Sequence, residues 1–229
     1  IMFSIFSSDE KKGSQKPLSP IAQRIVPTTA AVSQQDIRVS YLNENELDKA
    51  HLKTLCDVSE GAALILGFIS PDLDMDKVAR AIKQEIPSSA KLILMTTSGE
   101  LCRTEQSSTL YCPAPEGRAK ILLQAFSHRM IENTYVMSIP LPDDDLRAGN
   151  VDMTVNERVA AIRKEIERYN PPFRISVNHT FALVYVDGVS SCETFVLQAL
   201  YESGKFSCPF MGGSAAGNLD FAHTYIYNG

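Results

Sequence analysis

The sequence predicts an α/β protein of mixed α+β character, with a mixed, mainly parallel β-sheet flanked by helices. Three observations carry this. Gly61 to Phe68 and Lys91 to Met95 are continuous apolar runs, and between them Val78, Ile82 and Ile86 form a helical stripe. Strand, helix, strand at this spacing is a βαβ crossover, which joins parallel strands in a right-handed sense. His179 to Asp187 is apolar on both faces between Phe181 and Val186, as a central strand is, and leads through a tight loop and a helix to a second strand and a glycine-rich loop. Ala119 to Ser127 and Asn133 to Leu141 read as two strands with a short connection, a hairpin that makes the sheet mixed.

Composition narrows the class. The chain has 229 residues, 44% hydrophobic and 21% charged, enough for one large or two small soluble domains with a sizeable core. A net charge of −5 argues against nucleic acid and anionic membrane as partners. The longest apolar run, Gly61 to Ile69, is about half of a membrane span. The first residues, Ile-Met-Phe-Ser-Ile-Phe, have no basic region and form no secretory signal, and Ile1 ahead of Met2 looks like a cloning scar. Five cysteines (56, 102, 112, 192 and 208) are an odd number without a C-x-x-C pair, so the expectation is reduced thiols in the cytoplasm.

In chain order, residues 1–36 are rich in Ser, Lys, Gln, Thr and Pro and are expected to be a flexible lead-in, with Phe3, Ile5 and Phe6 as a docking patch if it docks at all. Ile37 to Tyr41 alternates like a short strand. The helix after it takes Asn43 or Asn45 as its cap and places Leu47, His51 and Leu55 on its inward stripe. The helix after Ser70-Pro-Asp72 stops at Pro87. Cys102 and Cys112 have no nearby histidine and would need a further ligand from elsewhere to hold zinc. Asp143-Asp-Asp145 lacks calcium-loop spacing and reads as a surface loop. Thr154-Val-Asn-Glu157 is a capping box opening a helix with Val155, Val159, Ile162 and Ile166 on its stripe. Ser190-Ser-Cys-Glu193 fits the same pattern, with Ser190 as N-cap and Gly204 as the stop. The final segment, Phe221 to Tyr227, reads as a strand running into Asn228-Gly229, a hairpin-turn signal with no returning strand, which suggests a fragment whose missing part completes the sheet.

The site candidates are loops at strand ends. In open α/β sheets ligands bind beyond the carboxyl ends of the strands. Thr97, Ser98, Gly99 and Glu100 follow one such end, although Thr97 to Gly99 is equally readable as a plain turn. Asp187 and Gly188 follow another, leading to Ser190 and Ser191 at a helix start. Gly212, Gly213, Ser214 and Ala215 present backbone with little side-chain cover. A helix start and a glycine-rich loop both suit a carboxylate.

These pieces resemble the N-terminal half of the FIST sensory domain. The resemblance rests on Gly67-Phe-Ile-Ser-Pro71, Thr96-Thr-Ser-Gly-Glu100, Asp187-Gly188 with its helix, and Gly212-Gly-Ser-Ala-Ala-Gly217 followed by Thr224 to Gly229, in order over about 190 residues. It implies that residues 37–229 are a cytoplasmic bacterial sensory domain without catalytic activity that binds a small ligand, an amino acid in particular. It further implies a C-terminal FIST half and a signalling output, commonly a chemoreceptor region, a histidine kinase or a cyclic-dinucleotide enzyme. No cofactor is required.

Three alternatives compete with the amino-acid module, in which the ligand carboxylate meets backbone N–H groups and its ammonium meets Glu100 or Asp187. Asp187 is equally readable as a turn residue. Some members of the resembled family are reported to bind haem and sense nitric oxide, for which His223, then His179, would be the axial ligand. Cys192 at a helix start is the one candidate nucleophile for an enzyme. An exposed edge strand would serve docking to a missing half or to a second copy in a homodimer.

Overall fold

The computed structural model describes residues 2–7, 36–102, 110–112, 120–218 and 223–229. Its strands are β1 (Met2–Ser7), β2 (Ile37–Asn43), β3 (Ala62–Ile69), β4 (Lys91–Thr96), β5 (Glu100–Leu101), β6 (Tyr111–Cys112), β7 (Lys120–Ser127), β8 (Asn133–Ser138), β9 (Thr180–Asp187), β10 (Phe210–Ala215) and β11 (Ile226–Tyr227). Its α-helices are α1 (Lys49–Cys56), α2 (Met75–Glu85), α3 (Asp144–Arg147), α4 (Val155–Glu167) and α5 (Glu193–Ser203).

The crossover found in the sequence does form, the strand–helix–strand after His179 forms a second, and the two seed different sheets. β3 and β4 pair in parallel around α2, and β9 and β10 pair in parallel around α5. The first pair lies in a five-stranded sheet of order β11-β4-β3-β7-β2, the second in a four-stranded sheet of order β10-β9-β1-β8. All the other pairings among the described residues are antiparallel, so the expectation of one mainly parallel sheet is corrected to two mixed, mostly antiparallel sheets. A crossover fixes the direction of the two strands it joins and nothing about the strands that flank them.

The hairpin expected from β7 and β8 does not exist. β7 lies between β3 and β2, whereas β8 is an edge strand of the other sheet beside β1. The connection crosses from sheet to sheet: the His128 N–H donates to the Gly61 carbonyl on one side and the Glu132 N–H to the Ser7 carbonyl on the other. Ile131, 2% exposed, packs into the core between the sheets and pins that crossing.

The lead-in is likewise not all outside the fold. Met2–Ser7 sits between β8 and β9 with every residue in register, from Met2 opposite Tyr185 to Ser7 opposite Thr180. Alternation sends Ile5 to the helix side and Phe6 to the inter-sheet side, and both are fully buried. The remainder of the lead-in, residues 8–35, lies outside the described residues.

Four layers follow from three apolar clusters. Leu52 and Leu55 of α1 and Val78 and Ile82 of α2 pack on one face of the five-stranded sheet. Val159, Ile162 and Ile166 of α4 and Val196, Ala199 and Leu200 of α5 pack on one face of the four-stranded sheet. The two remaining faces stack on each other through Phe6, Leu64, Leu66, Ile93, Met95 and Tyr185. Each sheet thus buries both faces, which is why β3, β4 and β9 read as nearly continuous apolar runs.

Local signals were right where one residue type decides, and wrong where two patterns share a signature. Thr154 caps α4 as expected, accepting from the Glu157 N–H at 3.3 Å while Glu157 accepts from the Thr154 N–H at 2.9 Å. Val155 is exposed, and Arg158 is the buried residue of that turn. The cap of α1 is Asp48, which accepts from the Ala50 and His51 N–H groups, while Asn43 caps a short 3-10 turn at Glu44–Glu46. The shift turns His51 to solvent, beside Asp48 at 2.9 Å, and brings Leu52 and Leu55 inward. Asp143-Asp-Asp145 is not a plain surface loop: Asp144 and Asp145 begin α3, Asp143 is buried and binds Arg147 at 2.7 Å, and Asp145 accepts from the buried Arg158.

The capping box expected at Ser190 is replaced by a loop bond. Ser190 Oγ donates to the Asp187 carbonyl at 2.6 Å and accepts from the Cys192 N–H at 3.3 Å, so α5 begins two residues later with Cys192 as its N-cap. Glu193 accepts from Ser214 Oγ at 2.9 Å. A serine hydroxyl that closes a local turn competes with helix capping, and here the turn wins. Most of the glycine-rich loop is strand, since Phe210–Ala215 is β10. Of the expected last strand, β11 covers only Ile226–Tyr227, and residues 221 and 222 lie outside the described residues.

Candidate functional site

β4 and β10 end at the same corner of the sandwich, and short polar bonds hold the two ends together. The Ala216 N–H donates to the Thr96 carbonyl at 3.0 Å, and Ser98 Oγ donates to the Gly217 carbonyl at 3.0 Å. Thr97 Oγ1 donates to the Gly99 carbonyl at 2.7 Å and accepts from the Gly99 N–H at 3.0 Å, so its hydroxyl shapes the turn itself. Thr96 Oγ1 accepts from the Tyr225 N–H at 3.0 Å, fixing the segment that enters β11.

Beneath this corner, between the sheets, lies a cavity of ≈ 420 Å³. One wall is the loop of Thr97, Gly99 and Glu100, and the facing wall is the backbone of Gly212, Gly213 and Ser214. Phe68, Met95, Leu122 and Tyr185 complete it with apolar surface. Small-molecule sites are concave, mostly apolar and equipped with a few convergent polar groups, and this cavity has that make-up at the small end of the usual size range.

Glu100 is its charged group. The residue is 5% exposed, and burial pushes its carboxyl above the ordinary value; its own backbone N–H and the neighbouring Tyr41 phenol pull the other way without cancelling the effect. Lys120 Nζ lies over the Tyr41 ring at 5.4 Å from the centroid. Burial also pushes the Tyr185 phenol up to about 12, so it stays a neutral hydroxyl at any physiological pH. A buried carboxyl in a cleft is the kind of group that meets a ligand cation.

The polar edge opposite follows from the ladder. The Ala182 N–H donates to the Pro209 carbonyl and the Gly188 N–H to the Ala215 carbonyl, which sets the phase of the parallel pairing. Alternation then points the N–H groups of Gly212 and Ser214 away from β9, in phase with the Ala216 N–H that bonds Thr96. Gly212 is confined to glycine, because it has φ +150° and a Cβ there would stand 1.8 Å from the Val184 carbonyl oxygen.

The cavity gathers Thr97, Gly99, Glu100, Gly212, Gly213 and Ser214 from the sequence candidates. Ser98 lies on the rim clasping Gly217, and Ala215 is buried in the inter-sheet core. Asp187, Gly188, Ser190 and Ser191 form the turn from β9 to α5 and do not line the cavity. Asp187 is occupied. Thr224 Oγ1 donates to it at 2.6 Å and the Val189 N–H at 2.9 Å, and Arg147 pairs with its other oxygen. Burial alone would raise its carboxyl, but those three donors hold it below the ordinary value. Phe68, Met95, Leu122 and Tyr185 were not singled out from sequence; the only available signal was Tyr185, a hydroxyl in the middle of an apolar strand.

The other candidates sit elsewhere. His223 is exposed and stacks on Tyr225 at 6.5 Å, and His179 lies in the turn before β9. Neither lines this cavity, so these residues do not fit an axial role to a haem held there. Cys102 is buried against Leu122, and among the described residues no group of three or more His, Cys, Asp or Glu is placed to hold a metal ion. Cys192 is fully buried, and burial first, then Asp143, pushes its thiol up rather than down. A buried, protonated thiol is inert. In the native protein at neutral pH, iodoacetamide should leave Cys192 unmodified and label the partly exposed Cys56 ahead of it, with Cys192 labelled only in denaturant. Peptide mapping checks this, and native labelling of Cys192 would reinstate the nucleophile.

The FIST N domain family model matches residues 63–229. The chain belongs to this family. FIST domains are sensory domains, so a sensory role in signalling follows for it. The match opens inside β3 and takes in both crossovers and the whole lining of the cavity, leaving β1, β2 and α1 before it. Comparison with curated proteins and with solved structures gives no match. Among the described residues, no helix of this FIST domain is long and apolar enough to cross a membrane.

Proposed function

We propose that this FIST N domain binds a free amino acid in the inter-sheet cavity and passes its occupancy to an attached signalling region. The observation that carries the reading is a buried carboxyl, Glu100, sharing one cavity with the open backbone edge of Gly212 and Ser214. Glu100 takes the ligand ammonium and the two N–H groups take its carboxylate. An amino acid carries both signs within one short ligand, and each charge has an oriented partner here, a buried carboxyl for the ammonium and the exposed edge of β10 for the carboxylate. Of the two acids weighed from sequence, Glu100 is favoured because Asp187 already has Arg147 and Thr224.

Occupancy reaches the chain beyond the site through Thr96. It lines the cavity and holds the Tyr225 backbone, so a shift of that wall moves the segment leading into β11. The partners in this reading are a C-terminal FIST half and a cytoplasmic output region, such as that of a bacterial chemoreceptor.

The test is a thermal-shift screen of the purified chain against the twenty amino acids. A ligand at a hundred times its dissociation constant adds about 2.7 kcal/mol, which for a chain of this size is a rise of about 5–10 °C in Tm. A shift from an amino acid, and none from its deaminated or decarboxylated analogue at the same concentration, is the expected result. Equal shifts from the simple amine and the amino acid would remove the carboxylate half of the reading, and no shift from any of the twenty would remove the whole.

A further inference from the structure

Resting on the amino-acid reading, we propose that the ligand carries an apolar side chain, and that Gly213 is the residue that makes room for it. The argument begins with the direction of each residue along β10. Ser214 Oγ reaches Glu193 of α5 at 2.9 Å, and Phe210 packs against the α4–α5 core, so even-numbered positions face the helices. Ala215, 1% exposed, packs in the inter-sheet core with Tyr185, so odd-numbered positions face the other sheet. Gly213 is directly in register with Tyr185 and faces the cavity that both of them line.

The two adjacent glycines are there for different reasons. Gly212 has a backbone reason, since a Cβ would collide with the Val184 carbonyl. Gly213 has none. It is not among the residues of positive φ, and a Cβ built on it meets no heavy atom within 4 Å. Strand interiors disfavour glycine, which gives up packing and costs backbone entropy, so a glycine that nothing crowds is a position where empty space itself is used. Gly213 is exposed on the edge strand, and the inter-sheet cavity that it lines opens beside it.

What surrounds the space sets the chemistry of its occupant. Phe68, Met95, Leu122 and Tyr185 offer apolar surface, and Glu100 is the only described lining residue that carries a charge. Once Glu100 is matched by the ligand ammonium, a second cation or a side-chain carboxylate would be buried without a counter-charge, an arrangement proteins avoid. An apolar side chain of the leucine, methionine or phenylalanine class fills the same space and gains from leaving water.

The experiment is a calorimetric titration of the purified chain and its Gly213→Ala and Gly213→Val variants with leucine, phenylalanine, alanine, aspartate and lysine. For the parent, leucine or phenylalanine should bind at least about tenfold more tightly than alanine, aspartate or lysine, the usual discrimination of an apolar pocket. Gly213→Val should retain the ligand-free Tm and weaken the preferred ligand at least about tenfold, with alanine much less affected. Gly213→Ala, which adds one carbon to open space, should show the same order with a smaller loss, and it carries the test if the valine variant does not fold. A parent that prefers aspartate or lysine overturns the inference and leaves the amino-acid reading in place. So does a folded Gly213→Val that binds leucine and phenylalanine like the parent. If no amino acid binds the parent, the reading of the cavity falls, and this inference falls with it.

Discussion

Replacing Phe6 by Ala should lower the free energy of unfolding by about 3–5 kcal/mol, the cost of emptying a fully packed aromatic site. Phe6 is fully buried and stacks on Phe181 with ring centroids 4.8 Å apart. It sits on the strand that joins β8 to β9, so the loss falls on the contact between the two sheets as well as on the four-stranded sheet itself. Chemical denaturation measures it as a lower midpoint. A change below about 1 kcal/mol, the range of an ordinary surface substitution, would mean that β1 is a loosely docked tail after all.

That β1 could not be recognised from sequence has a physical cause. Its pairing partners are β8 and β9, both more than a hundred residues along the chain, and nothing local distinguishes a short apolar segment that docks from one that does not. The same limit explains the false hairpin of β7 and β8. Apolar period says that a segment is a strand, and a short connection suggests a hairpin, but the partner is chosen by how the sheets stack. Crossovers are the exception. The need for a helix over the sheet nearly dictates the parallel pairing: the β3–α2–β4 unit forms as read, and the strand, helix and strand after His179 pair in the same way. Helix starts fall between these cases: the Thr154 box has no rival, whereas Ser190 had a turn carbonyl within reach.

The polar half of the site was legible because it depends on backbone and charge. Glycines at 212 and 213 and an acid after a strand end are visible in one dimension, and the structure brings them to one cavity. The apolar half was not. Phe68, Met95 and Leu122 look like any other core residue until two sheets stack with a gap between them. Glu100 and Asp187 were also inseparable in sequence, because the guanidinium that occupies Asp187 comes from Arg147, forty residues earlier in the chain.

Glu100→Gln should weaken amino-acid binding by about 2 kcal/mol or more, roughly 30-fold in Kd, because it removes the charge that faces the ligand ammonium in a buried site. The pH dependence gives an independent signature. Burial raises the Glu100 carboxyl above its ordinary value, so in the empty domain it is the unfolded chain that ionises first as pH rises. The Glu100 contribution to stability is therefore most favourable below the ordinary carboxylate pKa and falls as pH climbs towards the raised one, and Glu100→Gln should remove that fall and leave the ligand-free domain more stable at neutral pH. Asp187 has the opposite sign: its lowered carboxyl stabilises the fold above the ordinary value, and the gain is lost as pH drops through the depressed one. The two limbs are thus separable by variant. The ligand keeps its ammonium across this range, so its affinity follows Glu100 alone, tightening as pH rises through the raised pKa and levelling off above it. Titration calorimetry carried from the ordinary carboxylate range up to neutral pH should show that slope in the parent and none in Glu100→Gln. A flat profile in the parent, or an unchanged Kd in the variant, would place the ammonium elsewhere.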